Sequence, residues 1–277
     1  SGIWTGQYNA IRNINTYLAA LPNATGLNAE ELRASAGFAK TLKAWHLARL
    51  AIRTGELGIP LDVDRDILDE PAPFVSFADA LTRIAGMLDE AYADLQNGGP
   101  AFPFTAAPGF TGFNTPETFA RFNRALTAKV HVYRATFNGC AACWDLAATA
   151  LDASFVTDAG LPESLATGVY YGYTGQAGEP ANPITESLES NRYWVHASIV
   201  TGAQTRADDS PDLRLTRKVM HAGRTHSLPD AGLSASYKPV LYNQPGDPSR
   251  ANPGAPIPWI HNEELLLLRA EVRWHTG

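Results

Sequence analysis

Successive apolar stripes at helical spacing fill residues 8–153, and breakers separate them. Nothing else in the chain limits its fold so strongly. Tyr8–Leu21 sets Ile11, Ile14 or Asn15, Leu18 and Leu21 on one side and stops at Pro22. A second helix opens at Asn28, with Glu31 placed to complete a capping box. It runs through Leu32, Ala36, Ala39, Leu42, Trp45 and Ile52 to Gly55. Ser76 caps a third, which carries Phe77, Leu81, Ile84, Leu88, Ala91 and Leu95 up to Asn97-Gly98-Gly99-Pro100. Thr115-Pro116 starts a fourth, with Phe119, Phe122, Leu126, Val130, Tyr133 and Phe137 ahead of Asn138-Gly139. A short Ala-rich fifth covers Trp144–Ala153. A helix with one apolar stripe must bury it against a neighbour, and short connections favour antiparallel pairs. The expectation is a mainly α fold. The helix lengths suggest tetratricopeptide-like pairs, although no consensus repeat of about 34 residues is present.

From Phe155 the texture changes. Residues 155–260 are rich in Gly, Pro, Asn and Ser and lack a strong helical stripe, and Val195–Val200 reads equally as strand or helix start. Irregular stretches of this length tend to carry function. Then Ala255–Gly277 joins a Pro-pinned entry, Pro256 and Pro258, to an apolar helix. The expected organisation is a helical scaffold at 1–154, an irregular loop-rich lobe at 155–260, and a final helix at 261–277 returning to the scaffold.

Composition excludes several classes. A chain of 277 residues with 45% hydrophobic and 18% charged residues buries a real core. Its net charge of −6 argues against nucleic acid, which requires a basic face. No apolar run reaches the ~18 residues of a membrane span. The Ser-Gly start reads as a cropped end, so missing targeting signals do not bear on the native address. Cys140 and Cys143, as Cys-Ala-Ala-Cys with helical flanks, suit a structural thiol pair or local disulfide better than a redox motif.

No catalytic centre survives inspection. Asp62, Asp64, Asp66, Asp69 and Glu70 open like a calcium loop, but Ile67 and Pro73 stand where Gly and Glu are needed, leaving a solvated acidic loop as the simpler reading. The histidines (His46, His131, His196, His221, His226, His261, His275) show no metalloprotease spacing. Gly172-x-x-Gly175-x-x-Gly178 fits no phosphate loop and suits a turning segment instead. No cofactor is implied. Aromatics are the better lead, because a Tyr or Trp face stacks on the C–H side of a sugar ring. Tyr170, Tyr171, Tyr173, Tyr193 and Trp194 lie in Gly- and Asn-rich sequence, and Asn191 and Arg192 beside them can bond hydroxyls or carboxylates. The competing reading is that these rings fill the lobe's own small core. Trp45, Tyr133 and Trp144 read as scaffold core.

Four segments together resemble the RagB/SusD family. They are Ala36–Leu61 with its Gly-Ile-Pro exit, Phe77–Leu95, Phe119–Trp144 with Val-His-Val-Tyr, and Pro256–Glu271 with Pro-Ile-Pro, Glu-Leu-Leu-Leu and Arg-Ala-Glu. Asp212-Leu213-Arg214 and Lys218 resemble a further element of that family. The resemblance implies a helical scaffold with an irregular lobe, and nutrient capture without catalysis. It also implies a lipidated N-terminal cysteine anchoring the protein at the outer-membrane cell surface, and a TonB-dependent (SusC-like) transporter as partner. The expected ligand is an oligosaccharide, bound through Tyr170, Tyr171, Tyr173, Asn191, Tyr193 and Trp194. A helical-repeat adaptor for a protein or peptide is the alternative, and a glycoside hydrolase using two acidic residues comes third.

Overall fold

The computed structural model describes residues 2–65, 68–176, 178 and 180–277, with Gly2 and Ile3 described by backbone alone. In chain order the main elements are α1 (Gly2–Ala20), α2 (Ala29–Thr54), β1 (Ile59–Pro60), β2 (Phe74–Val75), α3 (Phe77–Gln96), α4 (Pro116–Asn138), α5 (Cys143–Asp152) and β3 (Gly168–Tyr171). There follow α6 (Ala197–Thr201), α7 (Leu213–Lys218), β4 (Val219–Leu228), β5 (Leu233–Pro239), β6 (Asn243–Gln244), β7 (Asp247–Ala251), β8 (Ile257–His261) and α8 (Asn262–Thr276). The fold is mainly α. Two compact units divide it: Ser1–Val169 with Pro258–Gly277, and Tyr170–Ile257. The first unit thus runs past Phe155, where the composition changes, because Phe155 and Val156 still pack on the helical core.

In the helical unit each helix packs on the next: α1 on α2, α2 on α3, α3 on α4, α4 on α5, and α5 on α8. The starts follow the sequence. The Asn28 side chain accepts from the Glu31 amide while Glu31 accepts from the Asn28 amide, closing the capping box. Ser76 caps α3 and Thr115, ahead of Pro116, caps α4; Gly139 ends α4 in the left-handed conformation. The core lies under α2, α3 and α4, where Phe38 meets Phe102, Phe104, Phe110 and Phe119 at centroid distances of 4.7–5.6 Å. At Gly37 a Cβ would stand 2.7 Å from Leu95 Cγ and 2.8 Å from the Ala91 carbonyl, so α2 and α3 touch there by backbone. A polar strut crosses the same core: Asn123 Nδ2 donates to Thr41 Oγ1 and the Leu88 carbonyl, and its oxygen accepts from Arg124. Cys140 and Cys143 form a disulfide in the turn entering α5.

Helix α1 begins before the apolar stripe that announces it. Trp4 and Thr5 are helical but exposed, and burial sets in from Gln7 and Tyr8 onward. At the other end Asn262 roots α8, exchanging side-chain hydrogen bonds with the Thr157 backbone at 2.9 and 2.8 Å.

The second unit is short of regular structure apart from the antiparallel hairpin β4–β5, which is bulged between His221 and His226, and the small pair β6–β7. The ambiguous stretch 195–200 divides: Val195 bridges to Tyr237, and α6 begins two residues later behind the His196 cap. Buried Lys238 and Glu186 form an ion pair at 3.3 Å in the unit's interior, and Arg192 also pairs with Glu186. The Lys238 ammonium also donates to the Ser187 and Ser190 carbonyls, so no proton is left unsatisfied. Burial alone would raise the Glu186 pKa. Hydrogen bonds from Ser190 and Lys238, with the charges of Arg192 and Lys238, hold it below the usual carboxylate value instead. Asp212 and Arg214 pair locally, two residues apart at the start of α7, so they do not pin distant segments together.

Candidate functional site

In the second unit three of the expected residues meet at one pocket and three do not. Asn191, Tyr193 and Trp194 line a pocket of about 570 Å³ with Arg192, His196, His226, Leu228 and Leu233. The hairpin holds them there. Arg224 donates to the Leu188, Glu189 and Ser190 carbonyls and to Asn191 Oδ1, and thereby fixes the loop that leads into Trp194. The indole of Trp194 lies parallel to the His226 ring, 5.1 Å away at 9°, and Arg224 and Lys238 stand 5.5 and 5.2 Å from its centroid. Its N–H is spent on the Asn191 carbonyl at 3.1 Å. Tyr193 is freer: 42% exposed, with Arg192 5.3 Å from its ring.

Tyr170, Tyr171 and Tyr173 do not line that pocket. All three are half-buried, in β3 and just after it. Burial, then the neighbouring Tyr242, raises the pKa of Tyr170. Gly175 makes the turn beyond them at φ 69°, where a Cβ would stand 3.1 Å from the Gly254 amide nitrogen.

The helical unit offers a pocket that sequence reasoning did not assemble. About 620 Å³ in volume, it lies among Trp4, Tyr8, Asn9 and Arg12 of α1 and Asp62, Arg65, Asp69, Glu70 and Phe74 of the segment joining α2 to α3. Trp4 and Tyr8, one helical turn apart, stand 4.9 Å centroid to centroid. Phe74 lies nearly parallel to Trp4 at 6.3 Å and 16°. The rings remain open to solvent: Trp4 is 36% exposed and Phe74 64%. Pairing of β1 with β2 sets Phe74 opposite Pro60, and the Tyr8 hydroxyl donates to the Pro60 carbonyl at 2.9 Å, tying both walls together. Burial pushes the Tyr8 phenol pKa upward, further from neutral pH, where the hydroxyl is in any case protonated. An apolar aromatic wall rimmed by an amide, guanidinium groups and carboxylates can stack a sugar ring and bond its hydroxyls. The available signal was the Trp4-x-x-x-Tyr8 spacing, which lies ahead of the apolar stripe.

The acidic run forms no metal cluster among the described residues, Asp66 lying outside them. Asp62 instead approaches Arg83 at 3.5 Å. His46 and His131 sit inside the helical unit with pKa values lowered to about 4. Burial is the main cause for both, followed by the charge of Arg49 for His46 and of Arg134 for His131. Both are neutral structural side chains at physiological pH.

No family model matches the sequence, and no curated protein matches it significantly. Solved structures do match in fold. A SusD-like carbohydrate-binding protein from Bacteroides fragilis NCTC 9343 superposes with a TM-score of 0.63 at 16% identity, covering 99% of this chain and 60% of that one. A second SusD-like protein from that organism gives 0.61 at 14% identity, covering 99% and 64%. A laminarin-binding SusD-like protein gives 0.53 at 15%, covering 99% and 67%. The chain therefore has the SusD-like helical fold and spans about three-fifths to two-thirds of the length of these structures.

Proposed function

We propose that this chain captures carbohydrate without transforming it, as part of a nutrient-binding protein at the cell surface. The exposed Trp4–Phe74 pair carries the reading: two nearly parallel rings at the mouth of a pocket whose rim supplies hydroxyl-bonding groups. The SusD-like fold supports it, since two of the matched structures are described as carbohydrate-binding or laminarin-binding. The Cys140–Cys143 disulfide suits an oxidising compartment. No helix among the described residues is long and apolar enough to cross a membrane; attachment through a lipid anchor at the outer membrane is part of the proposal. Delivery of the glycan to a TonB-dependent transporter completes the proposal.

The second unit supplies a second surface, the Asn191–Tyr193–Trp194 pocket, favoured by the exposed Tyr193 ring. With one face of Trp194 against His226 and its N–H already bonded, Tyr193, with Arg192 over one face and its hydroxyl on the Pro183 carbonyl, is the more exposed ring and the one to stack there. A glycan array and a peptide array probed with the wild-type chain, Trp4→Ala and Tyr193→Ala test the whole. Oligosaccharide hits that Trp4→Ala weakens at least tenfold are expected. Loss in Tyr193→Ala alone moves the site to the second unit. Peptide hits without glycan hits sink the carbohydrate reading in favour of the adaptor.

A further inference from the structure

A second pocket of about 620 Å³ adjoins the Trp4 pocket and shares Arg12, Val63 and Arg65 with it. Its polar lining is Arg12, Asn15, Thr16, Lys43, Asp64 and Arg65, three cations against one carboxylate. That balance runs against the chain, which carries 28 acidic and 22 basic residues.

The donors here are unspent. Lys43 is half-buried and, among the described residues, its ammonium makes no ion pair or hydrogen bond; nor does the Arg12 guanidinium. Arg65 donates to the Glu70 carbonyl at a long 3.3 Å and keeps the rest of its fork. Asn15 Nδ2 is occluded from solvent with no acceptor among the described residues. An occluded donor without an acceptor is unfavourable. Apart from the Asp64 carboxylate, the unfilled groups named here donate, so the complementary partner is an acceptor-rich anion. A planar carboxylate or a sulfate oxygen triad fits guanidinium, ammonium and amide together.

We infer that the glycan held at the Trp4 pocket is acidic, and that its carboxylate or sulfate half-ester lodges among Lys43, Arg12, Arg65 and Asn15. The inference rests on the carbohydrate reading above. Arg12 and Arg65 line both pockets, so a ring on the Trp4–Phe74 wall and a substituent among the cations share one continuous lining.

The test is an array of matched oligosaccharides in neutral, uronate-bearing and sulfated forms, with titration calorimetry on the hits. Trigalacturonate against its methyl ester, and a sulfated oligosaccharide against its desulfated parent, separate the two anion sources. Binding confined to one acidic form is expected. It should weaken at least tenfold in Lys43→Met and in Arg65→Ala, and fall as salt rises from 50 to 500 mM (about 14 to 4 Å of Debye length). Should Lys43→Met fail to fold, exposed Arg65→Ala decides alone. Hits on neutral glycans only, or acidic hits that keep their affinity within twofold in the folded variants, overturn the inference and leave the carbohydrate reading standing. An array empty of glycans removes both.

Discussion

The indoles of Trp45 and Trp259 stack at 5.5 Å with their planes 17° apart, joining the middle of α2 to the strand that leads into α8. Phe110 and Phe122 close on Trp259 edge-on at 5.7 and 6.1 Å. The C-terminal segment is thus packed into the helical core, where its Pro-Trp-Ile entry supplies an aromatic plug.

Truncating that plug should be costly. Trp259→Ala removes the stacked face and leaves a cavity, for a loss of about 3–5 kcal/mol in urea unfolding of the helical unit. A loss below about 1 kcal/mol would show that the Trp45 contact contributes little.

Acid should weaken the helical unit before its carboxylates titrate. His46 and His131 have folded pKa values near 4, below the unfolded value of about 6.5. The unfolded chain therefore takes up the protons first. Stability from these groups is complete above about pH 6.5 and is lost as pH falls towards 4, roughly 2 kcal/mol for each. Urea midpoints measured from pH 7.5 to 4.5 should fall in that window, and His131→Gln should flatten the slope.

Asn123→Leu should destabilise although it adds apolar surface to a core. It strips Arg124, which is 8% exposed, of the Oδ1 acceptor shared by its Nε and Nη2, and removes the donor to Thr41 and Leu88. A loss of about 2–3 kcal/mol by chemical denaturation is expected. Pairing it with Arg124→Met should recover part of that loss.

Trp194→Ala and Tyr193→Ala should differ in kind. Loss of the His226 stack and the two cation contacts costs the second unit about 2 kcal/mol, read as earlier proteolysis within 170–257. Tyr193→Ala should leave that resistance unchanged and act on ligand affinity alone.

Local chemistry was legible and long-range encounter was not. The Asn28–Glu31 box, the Ser76 cap and the Thr115-Pro116 start are written in adjacent residues, and the helices begin there. The cluster at Asn191, Tyr193 and Trp194 was readable for the same reason, being contiguous. The Trp4–Phe74 wall was not, because it depends on β1 pairing with β2 and on the Tyr8–Pro60 hydrogen bond. The β4–β5 hairpin was also hidden. Only residues 222–227 of β4 alternate half-buried with exposed, the half-buried ones being Ala222, Arg224 and His226, and β5 does not alternate at all, so no apolar face betrays a period of two. His226 and Arg224, which hold Trp194, come from that unread element.

Gly58 pins the wall of the Trp4 pocket more tightly than its size suggests. It adopts φ 67°, and a Cβ there would stand 2.1 Å from the Val75 carbonyl oxygen, inside any tolerable contact. Position 58 is therefore closed to any side chain unless the backbone moves. The residues that rim the pocket can be exchanged without touching that bend, so the outline that sets Phe74 beside Trp4 hangs on a glycine that does not itself line the pocket.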